Sequence, residues 1–167
     1  MNGHKIGNQQ GLYYLTLTTV GWIDLFTRQQ YRAIVIDSLR FCQEKKGLVV
    51  YGYVIMSNHL HLIAQAQAPH RLSDILRDFK KFTGRSIIKA IQTSKEESRQ
   101  DWLLHVMRYH ARYNKRNRDF QCWQHGNHPV ELVRPRWIAQ KLNYIHLNPV
   151  RAGWVDAPEQ YRYSSVW

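Results

Sequence analysis

The sequence has 167 residues and an apolar fraction of 44%, which is enough to bury the core of one ordinary domain. We therefore expect residues 1–167 to form a single domain. No apolar run approaches the roughly 18 residues of a membrane span, and residues 1–10 are too polar for a signal sequence, so we expect a cytoplasmic protein. Cys42 and Cys122 match no metal-binding spacing, and this favours two free thiols.

The balance of charge is the first feature that indicates a partner. Lys and Arg number 24 against 12 Asp and Glu, which gives a formal net charge of +12 and a pI of about 10.0. Cations that neutralise phosphates release condensed counterions, so an excess of this size favours nucleic acid over a small acidic ligand. A membrane surface is the rival partner, but the sequence contains no strongly basic helix with a continuous apolar face.

The first half of the chain predicts a strand, a helix, a strand hairpin and a second helix. Residues 12–18 alternate in the manner of a strand, and residues 28–45 carry apolar side chains at helical spacings of three and four. The almost continuous apolar run at 47–56 predicts a central strand buried on both faces, and residues 60–66 predict its hairpin partner. The second helix is expected to begin at Ser73, a good N-cap, and to end near residue 92.

The second half of the chain is predicted to be less regular. Residues 94–100 are polar and predict a loop, residues 102–113 a short helix and residues 120–123 a short strand. A last amphipathic helix is expected over 136–148, closed by Pro149. This order of elements predicts an α+β sandwich in which helices cover an antiparallel sheet, a layout that RNA-recognition domains share with other domains.

His59 and His61 flank Leu60 at the start of a predicted strand. On a strand the two imidazoles point to one face while Leu60 points to the other, so both rings could bind one metal ion. The alternative is that such a pair decorates a surface or a core. Two imidazoles make an incomplete site for most metals, so a third ligand must come from elsewhere in the fold.

Our candidate for the third ligand is Asn148, which follows Tyr144 by one helical turn on the same helix face. A phenol and a carboxamide so placed could present a nucleophile beside a metal ion. The alternative is that Tyr144 is one of ten tyrosines in a packing stripe and that Asn148 is merely a polar residue before Pro149.

Two segments resemble a known family. The stretch VIMSNHLHLI at 54–63 resembles the HUH motif of single-tyrosine transposases, including the Met-x-Asn that precedes the histidines. The stretch YIHLNPVRAG at 144–153, followed by PEQYRYSS at 158–165, resembles the C-terminal signature of the REP-associated tyrosine transposases. The resemblance covers most of the chain from residue 12 onward, although residues 94–117 depart from the family pattern.

The resemblance implies a ferredoxin-like α+β fold of the HUH endonuclease type and a nucleoid-associated enzyme. Its substrate would be single-stranded DNA, often presented as a hairpin, and cleavage would pass through a 5′-phosphotyrosine intermediate. Tyr144 matches the nucleophile, His59 and His61 match two metal ligands, and Asn148 matches the polar third ligand, which is commonly glutamine in related insertion-sequence transposases. An amide, phosphate oxygens and waters beside the imidazoles favour Mg or Mn as the metal. Relatives suggest a monomer or a homodimer.

The surface that contacts DNA is predicted from clusters of cations. Five cations lie within eleven residues, and the first four would line one side of a helix: Arg108, Arg112, Lys115, Arg116 and Arg118. A solvated face is the ordinary explanation of such a run. A second set of candidates surrounds the last helix: Arg134, Arg136, Lys141 and Arg151.

Two other functions compete with an enzyme. A non-catalytic protein that binds single-stranded DNA or RNA would explain the charge and the aromatic residues, but it would leave the histidines, Tyr144 and Asn148 as coincidences. A zinc-stabilised interaction module would need more metal ligands than a chain without cysteine pairs provides.

Overall fold

A computed structural model describes residues 5–115 and 119–166 of the protein. In this part of the chain one antiparallel sheet contains β1 (Tyr13–Thr18), β2 (Leu48–Ile55), β3 (His59–Ala66) and β4 (Val130–Glu131), in the order β2-β3-β1-β4. The helices that pack with it are α1 (Gln29–Lys45), α2 (Leu72–Thr93), α3 (Gln100–Ala111) and α4 (Pro135–Arg151). The predicted α+β fold, an antiparallel sheet covered by helices as in ferredoxin-like domains, is confirmed.

The alternation predicted for β1 divides the protein into two layers. Leu15 and Leu17 point into the larger core, which the buried faces of α1, α2 and α3 complete. Tyr14 points to the opposite face of the sheet and packs in a smaller core with Ile145 of α4. Side chains at every second position of β1 and β3 therefore lie beneath α4, away from the other three helices.

The prediction that β2 is a central strand is wrong, because β2 lies at an edge of the sheet. The C-terminal tail follows this edge: the Tyr163 carbonyl accepts from the Ile55 amide and the Ser165 amide donates to the Tyr53 carbonyl, both at 2.9 Å. Cover from the tail explains why an edge strand carries a nearly continuous apolar sequence, which resembles that of an interior strand.

Three predicted helix or strand boundaries also differ from the structure. Ser73 is not the N-cap of α2, because the helix begins one residue earlier, at Leu72, with Arg71 as its N-cap. The Ser73 amide (3.0 Å) and hydroxyl (2.9 Å) donate to Oε1 of Gln9 instead. Residues 120–123 form an isolated bridge to Thr19 rather than a strand. Helix α4 continues through Pro149 to Arg151, since losing one amide donor near the end of a helix costs only one bond of the ladder.

The loop between α2 and α3 is fixed by one buried carboxylate. Glu97 accepts hydrogen bonds from the Tyr31 hydroxyl (2.9 Å) and from Nε of Arg99 (3.1 Å), and Nε of Arg28 lies 3.6 Å away. Burial alone would raise the pKa of the Glu97 carboxyl, but the hydrogen bonds from Arg99 and Tyr31 outweigh it and lower the pKa. Arg99 also donates to the Asp24 carbonyl at 3.0 Å, which ties the loop before α1 to the start of α3.

Two further findings concern the cysteines and the helices. Cys42 and Cys122 are buried free thiols. Across residues 5–115 and 119–166, no helix combines the length and the apolar character that crossing a bilayer requires.

Candidate active site

The two sequence motifs meet beneath α4. His59 and His61 project from the same face of β3 with ring centroids 4.6 Å apart, as the alternation of a strand predicts. The ring of Tyr144, from α4, lies edge-on to His61 at a centroid distance of 5.6 Å. Tyr144 is 38% exposed, so its phenol is accessible from solvent while its ring contacts the buried imidazole. Residues far apart in the sequence therefore form one cluster.

His61 is the buried centre of this cluster, with only 6% of its surface exposed. The Tyr14 hydroxyl lies 2.9 Å from Nδ1 of His61, and the Thr16 hydroxyl lies 3.1 Å from the same atom. Burial, together with the nearby His59 and Lys141, lowers the pKa of His61 to about 3, so the imidazole is neutral at pH 7. A hydroxyl oxygen that accepts the Nδ1 proton leaves a lone pair on Nε2.

His59 is oriented by its neighbour in the chain. Its Nδ1 lies 2.7 Å from Oδ1 of Asn58, while Nδ2 of Asn58 donates to the Trp22 carbonyl at 3.3 Å. The amide group of Asn58 thus has its oxygen towards the imidazole, so Nδ1 of His59 acts as the donor and Nε2 carries the lone pair. Burial lowers the pKa of His59 as well, which keeps this second ring neutral.

Two cations flank the rings of the tyrosines. Nζ of Lys141 lies 4.5 Å from the ring centroid of Tyr14 and 5.6 Å from that of Tyr144. The guanidinium carbon of Arg151 lies 5.4 Å from the ring centroid of Tyr144. Both cations are on α4 at positions that share the face of Tyr144, one turn before it and two turns after it. Positive charge so close favours the binding of a phosphate at this point.

Tyr14 is the second phenol of the cluster, and its ring centroid lies 6.3 Å from that of Tyr144. Burial raises the pKa of Tyr14 to about 12, whereas a hydrogen bond from Thr16 acts in the opposite direction. Tyr14 therefore stays protonated at neutral pH and serves as a hydrogen-bonding partner. Of the two phenols, Tyr144 is the one that is accessible from solvent.

The donor set fits a divalent cation that also takes ligands from a substrate. Within the described residues, no three His, Cys, Asp or Glu side chains come together as a metal cluster. The two neutral imidazoles, each held through Nδ1, are donors in the form that a metal requires. Asn148 lies half-buried on α4, one turn after Tyr144, and its role as a third ligand stays a prediction. Phosphate oxygens and waters could complete such a shell.

Comparison with known proteins places this geometry in a family. Residues 13–125 match the family model for IS200-like transposases, and this segment contains β1 and both histidines. The chain belongs to the IS200-like transposase family. The matched segment ends before Tyr144. The position of Tyr144 beside His61 in this family member is therefore known from the structure alone. The comparison with curated protein sequences finds no match.

Two solved structures resemble the fold of this family member. One is a REP-associated tyrosine transposase bound to a REP hairpin, at a TM-score of 0.69 and 15% identity, with 99% of this chain and 82% of that chain covered. The other is a transposase candidate from Deinococcus radiodurans R1, at a TM-score of 0.50 and 18% identity, with 87% of this chain and 95% of that chain covered. At these identities the likeness concerns the fold.

The first predicted group of DNA-binding cations does not line one helix. Helix α3 ends at Ala111, so of this group only Arg108 lies within it, and its guanidinium carbon lies 5.1 Å from the Phe120 ring centroid. Arg112 is the C-cap of α3 and keeps right-handed helical φ and ψ, and Lys115 lies in a turn beyond it. Arg116 and Arg118 lie outside the described residues.

The second predicted group surrounds α4 as expected. Arg134 and Arg136 are exposed at the start of the helix, where their guanidinium carbons lie 5.3 and 5.9 Å from the ring centroid of Trp137. Lys141 and Arg151 belong to the tyrosine cluster itself. This group therefore extends from the cluster to the start of α4.

The residues that orient the histidines could not be identified from the sequence pattern alone. Tyr14 and Thr16 share the face of β1 that points towards His61, and Thr16 lies directly opposite His61 in the strand pairing. The alternation of residues 12–18 places Tyr14 and Thr16 on one face of β1. Only the register between β1 and β3 shows that His61 is the residue they contact. Asn58 belongs to the sequence motif, and the structure adds its hydrogen bond with His59.

A second charged surface lies away from the cluster. A groove of about 940 Å³ lies between α2 and residues 119–125, in the layer opposite α4. Exposed cations of α2 line it, among them Lys81, Arg85 and Lys89.

Proposed function

We propose that this protein cuts and rejoins single-stranded DNA, with Tyr144 as the covalent nucleophile. The observation that carries the proposal is the contact between the exposed Tyr144 and the buried His61, because it brings together the two motifs that resemble tyrosine transposases. The family match and the net charge of +12 support a nucleic-acid substrate. The hairpin bound by the structurally similar REP-associated transposase supports a DNA substrate with a hairpin.

Cleavage is a transfer of one phosphoryl group to the tyrosine. The Tyr144 oxygen attacks phosphorus, a bond from that oxygen to phosphorus forms, and the bond from phosphorus to the 3′ oxygen of the preceding nucleotide breaks. The phenol proton goes to water, and the departing 3′ oxygen takes up a proton. The product is a 5′-phosphotyrosine and a free 3′-hydroxyl. Attack by a 3′-hydroxyl of another strand reverses these steps and restores a phosphodiester.

Residues around Tyr144 favour this reaction electrostatically. Lys141 and Arg151 offset the negative charge of the scissile phosphate and of the attacking oxygen. His59, His61 and Asn148 would hold a divalent cation, Mg or Mn, which supplies Lewis-acid polarisation of the phosphate when bound. Tyr14, Thr16 and Asn58 hold the two imidazoles in a fixed orientation. We expect the protein to act in the cytoplasm, at the nucleoid, as a monomer or a homodimer with residues 1–167 as one domain.

The test is a search for a protein-linked DNA product. Labelled single strands, alone and as hairpins with single-stranded flanks, are incubated with the protein and Mg or Mn and then separated on a denaturing gel. We expect a labelled band at the mass of the protein plus DNA, which disappears on protease treatment and requires the metal.

A His59→Ala variant is the matched control for the metal requirement, since His59 is less buried than His61 and its loss should disturb folding less. Excess Mn should restore part of its activity. A non-catalytic nucleic-acid binder would retain the DNA on a native gel and give no linked species under any metal condition, and this result would overturn the proposal.

A further inference from the structure

Trp22 combines exposure with an unusual backbone conformation. It is 68% exposed, and its φ is 48°, in the left-handed region that bulky residues rarely occupy. Gly21, with a φ of 60°, shares this conformation, so two left-handed residues follow each other. The exposed ring of Trp22 contributes little hydrophobic free energy to folding. Its backbone conformation is one in which asparagine or glycine would be more stable.

The backbone around Trp22 is held firmly despite the exposure of its ring. The Thr19 hydroxyl donates to the carbonyls of Ile23 (2.9 Å) and Asn58 (3.0 Å), and the Trp22 amide donates to the Thr19 carbonyl (3.3 Å). Gly21 packs so closely on α3 that a Cβ there would lie 3.1 Å from Val106 and 3.3 Å from His110. The ring of Trp22 therefore extends from a fixed platform.

Trp22 is connected directly to the candidate active site. Its carbonyl accepts the hydrogen bond of Asn58 Nδ2, and Oδ1 of the same amide holds Nδ1 of His59. The side chain of Asn58 thus connects the backbone of Trp22 to His59, a candidate metal ligand. Trp22 therefore lies at the end of β3 that carries His59, next to the candidate active site.

We infer that Trp22 is a stacking platform for an unpaired base of the DNA strand next to the scissile phosphate. The inference rests on the proposed function and adds a base-binding subsite to it. Every nucleobase presents a π-face, so stacking on an exposed indole selects unpaired over paired bases without reading the sequence. The surface beyond Gly21 has similar chemistry: the ring of His110 lies 5.5 Å from that of Tyr109, which pairs with the exposed Tyr113.

The test compares single-stranded oligo(dT) with its duplex form, which keeps the phosphates of that strand, adds those of the complement and has no unpaired bases. Binding is measured by fluorescence anisotropy in a Tyr144→Phe background, so that no cleavage occurs. Trp22→Asn keeps a residue that tolerates a left-handed backbone and removes the ring. We expect it to weaken single-strand binding about 5- to 150-fold and to leave duplex binding unchanged.

Two further variants are the controls. Trp22→Phe keeps an aromatic face and should retain most of the single-strand affinity. Phe41→Ala removes an aromatic side chain of similar exposure, 53%, from α1, in the layer away from α4 and the candidate active site, and should change nothing. Thermal unfolding of Trp22→Asn should begin no lower than that of the parent protein.

Three results would overturn the inference: unchanged single-strand binding by Trp22→Asn, an equal loss for single strand and duplex, or an equal loss in Trp22→Phe. If the parent protein binds no oligo(dT), the proposed single-stranded substrate fails together with the inference. If the parent protein binds oligo(dT) but forms no covalent product with any DNA, the proposed cleavage chemistry fails. The role of Trp22 in binding is then still decided by the affinities of the Trp22 variants.

Discussion

The hydroxyl of Tyr14 lies 2.9 Å from Nδ1 of His61, and this contact links β1 to the candidate metal ligand on β3. The two residues are stacked at a centroid distance of 5.3 Å and are both almost fully buried. The hydrogen bond restrains the orientation of the imidazole, as outer partners of metal-binding histidines commonly do.

Removal of this hydroxyl should weaken metal-dependent activity more than folding. We expect Tyr14→Phe to raise the Mn concentration for half-maximal cleavage about 10- to 100-fold, with activity restored at high Mn. Tyr13→Phe is the matched control, because Tyr13 is the next residue of the strand and points into the opposite core. A metal titration of Tyr14→Phe that coincides with that of the wild type would show that the contact has no positioning role.

Lys141 and Arg151 should act on the rate of cleavage as well as on DNA affinity. We expect Lys141→Met and Arg151→Gln each to slow single-turnover cleavage at saturating DNA about 10- to 100-fold, because each removes a charge beside Tyr144. Arg136→Gln removes an exposed cation at the other end of α4 and should weaken binding alone. Wild-type rates at saturating DNA in both site variants would limit these cations to a binding role.

The buried Glu97 should make stability depend on acid pH. The pKa of Glu97 is lowered in the folded protein from an ordinary value of 4.5. The contribution of Glu97 to the free energy of unfolding is therefore complete above about pH 4.5 and declines as the pH falls below that value. We expect Glu97→Gln to reduce the free energy of unfolding at pH 7 by about 1.5–3 kcal/mol and to flatten this acid dependence. Urea unfolding at pH 7 and pH 3 measures both, with the exposed Glu96→Gln as control. If wild type and Glu97→Gln lose stability equally between pH 7 and pH 3, Glu97 is not the source of the acid dependence.

The basic segment after α3 should contribute phosphate contacts. Replacing Arg112, Lys115 and Arg116 together by Ala should weaken binding to single strands and hairpins and reduce the slope of log K against log salt by up to about 2, at roughly 0.7 per contact. Cleavage at saturating DNA should persist. The matched triple variant replaces Lys81, Arg85 and Lys89 in the groove of α2. If only this second variant changes the slope, the DNA follows α2 instead.

The sequence predicted those features that depend on local periodicity. The alternation of β1, the hairpin of β2 and β3, and the shared face of His59 and His61 all follow from the period of a strand. No local pattern brings α4 onto β3, so from the sequence the proximity of Tyr144 to His61 is a hypothesis that rests on residue chemistry and on the family resemblance.

Features that depend on long-range pairing were missed or predicted wrongly. The tail that covers β2 made an edge strand resemble a central one, and β4 has only two residues, too few for a recognisable alternation. Tyr14 could be assigned to His61 only once the register of β1 and β3 was known. Pro149 was expected to end α4, whereas the last turn forms without its amide.

The central claim is that Tyr144 forms the covalent bond to DNA, and the most direct measurement identifies the residue that carries it. The metal-dependent product is digested with protease and nuclease, and the peptide that retains a nucleotide is sequenced by mass spectrometry. We predict a phosphodiester-linked nucleotide on Tyr144 in the wild type, and none in Tyr144→Phe, which should still bind DNA within a few fold of the wild type. A nucleotide on another residue, or an equal yield of product from Tyr144→Phe, would contradict the account.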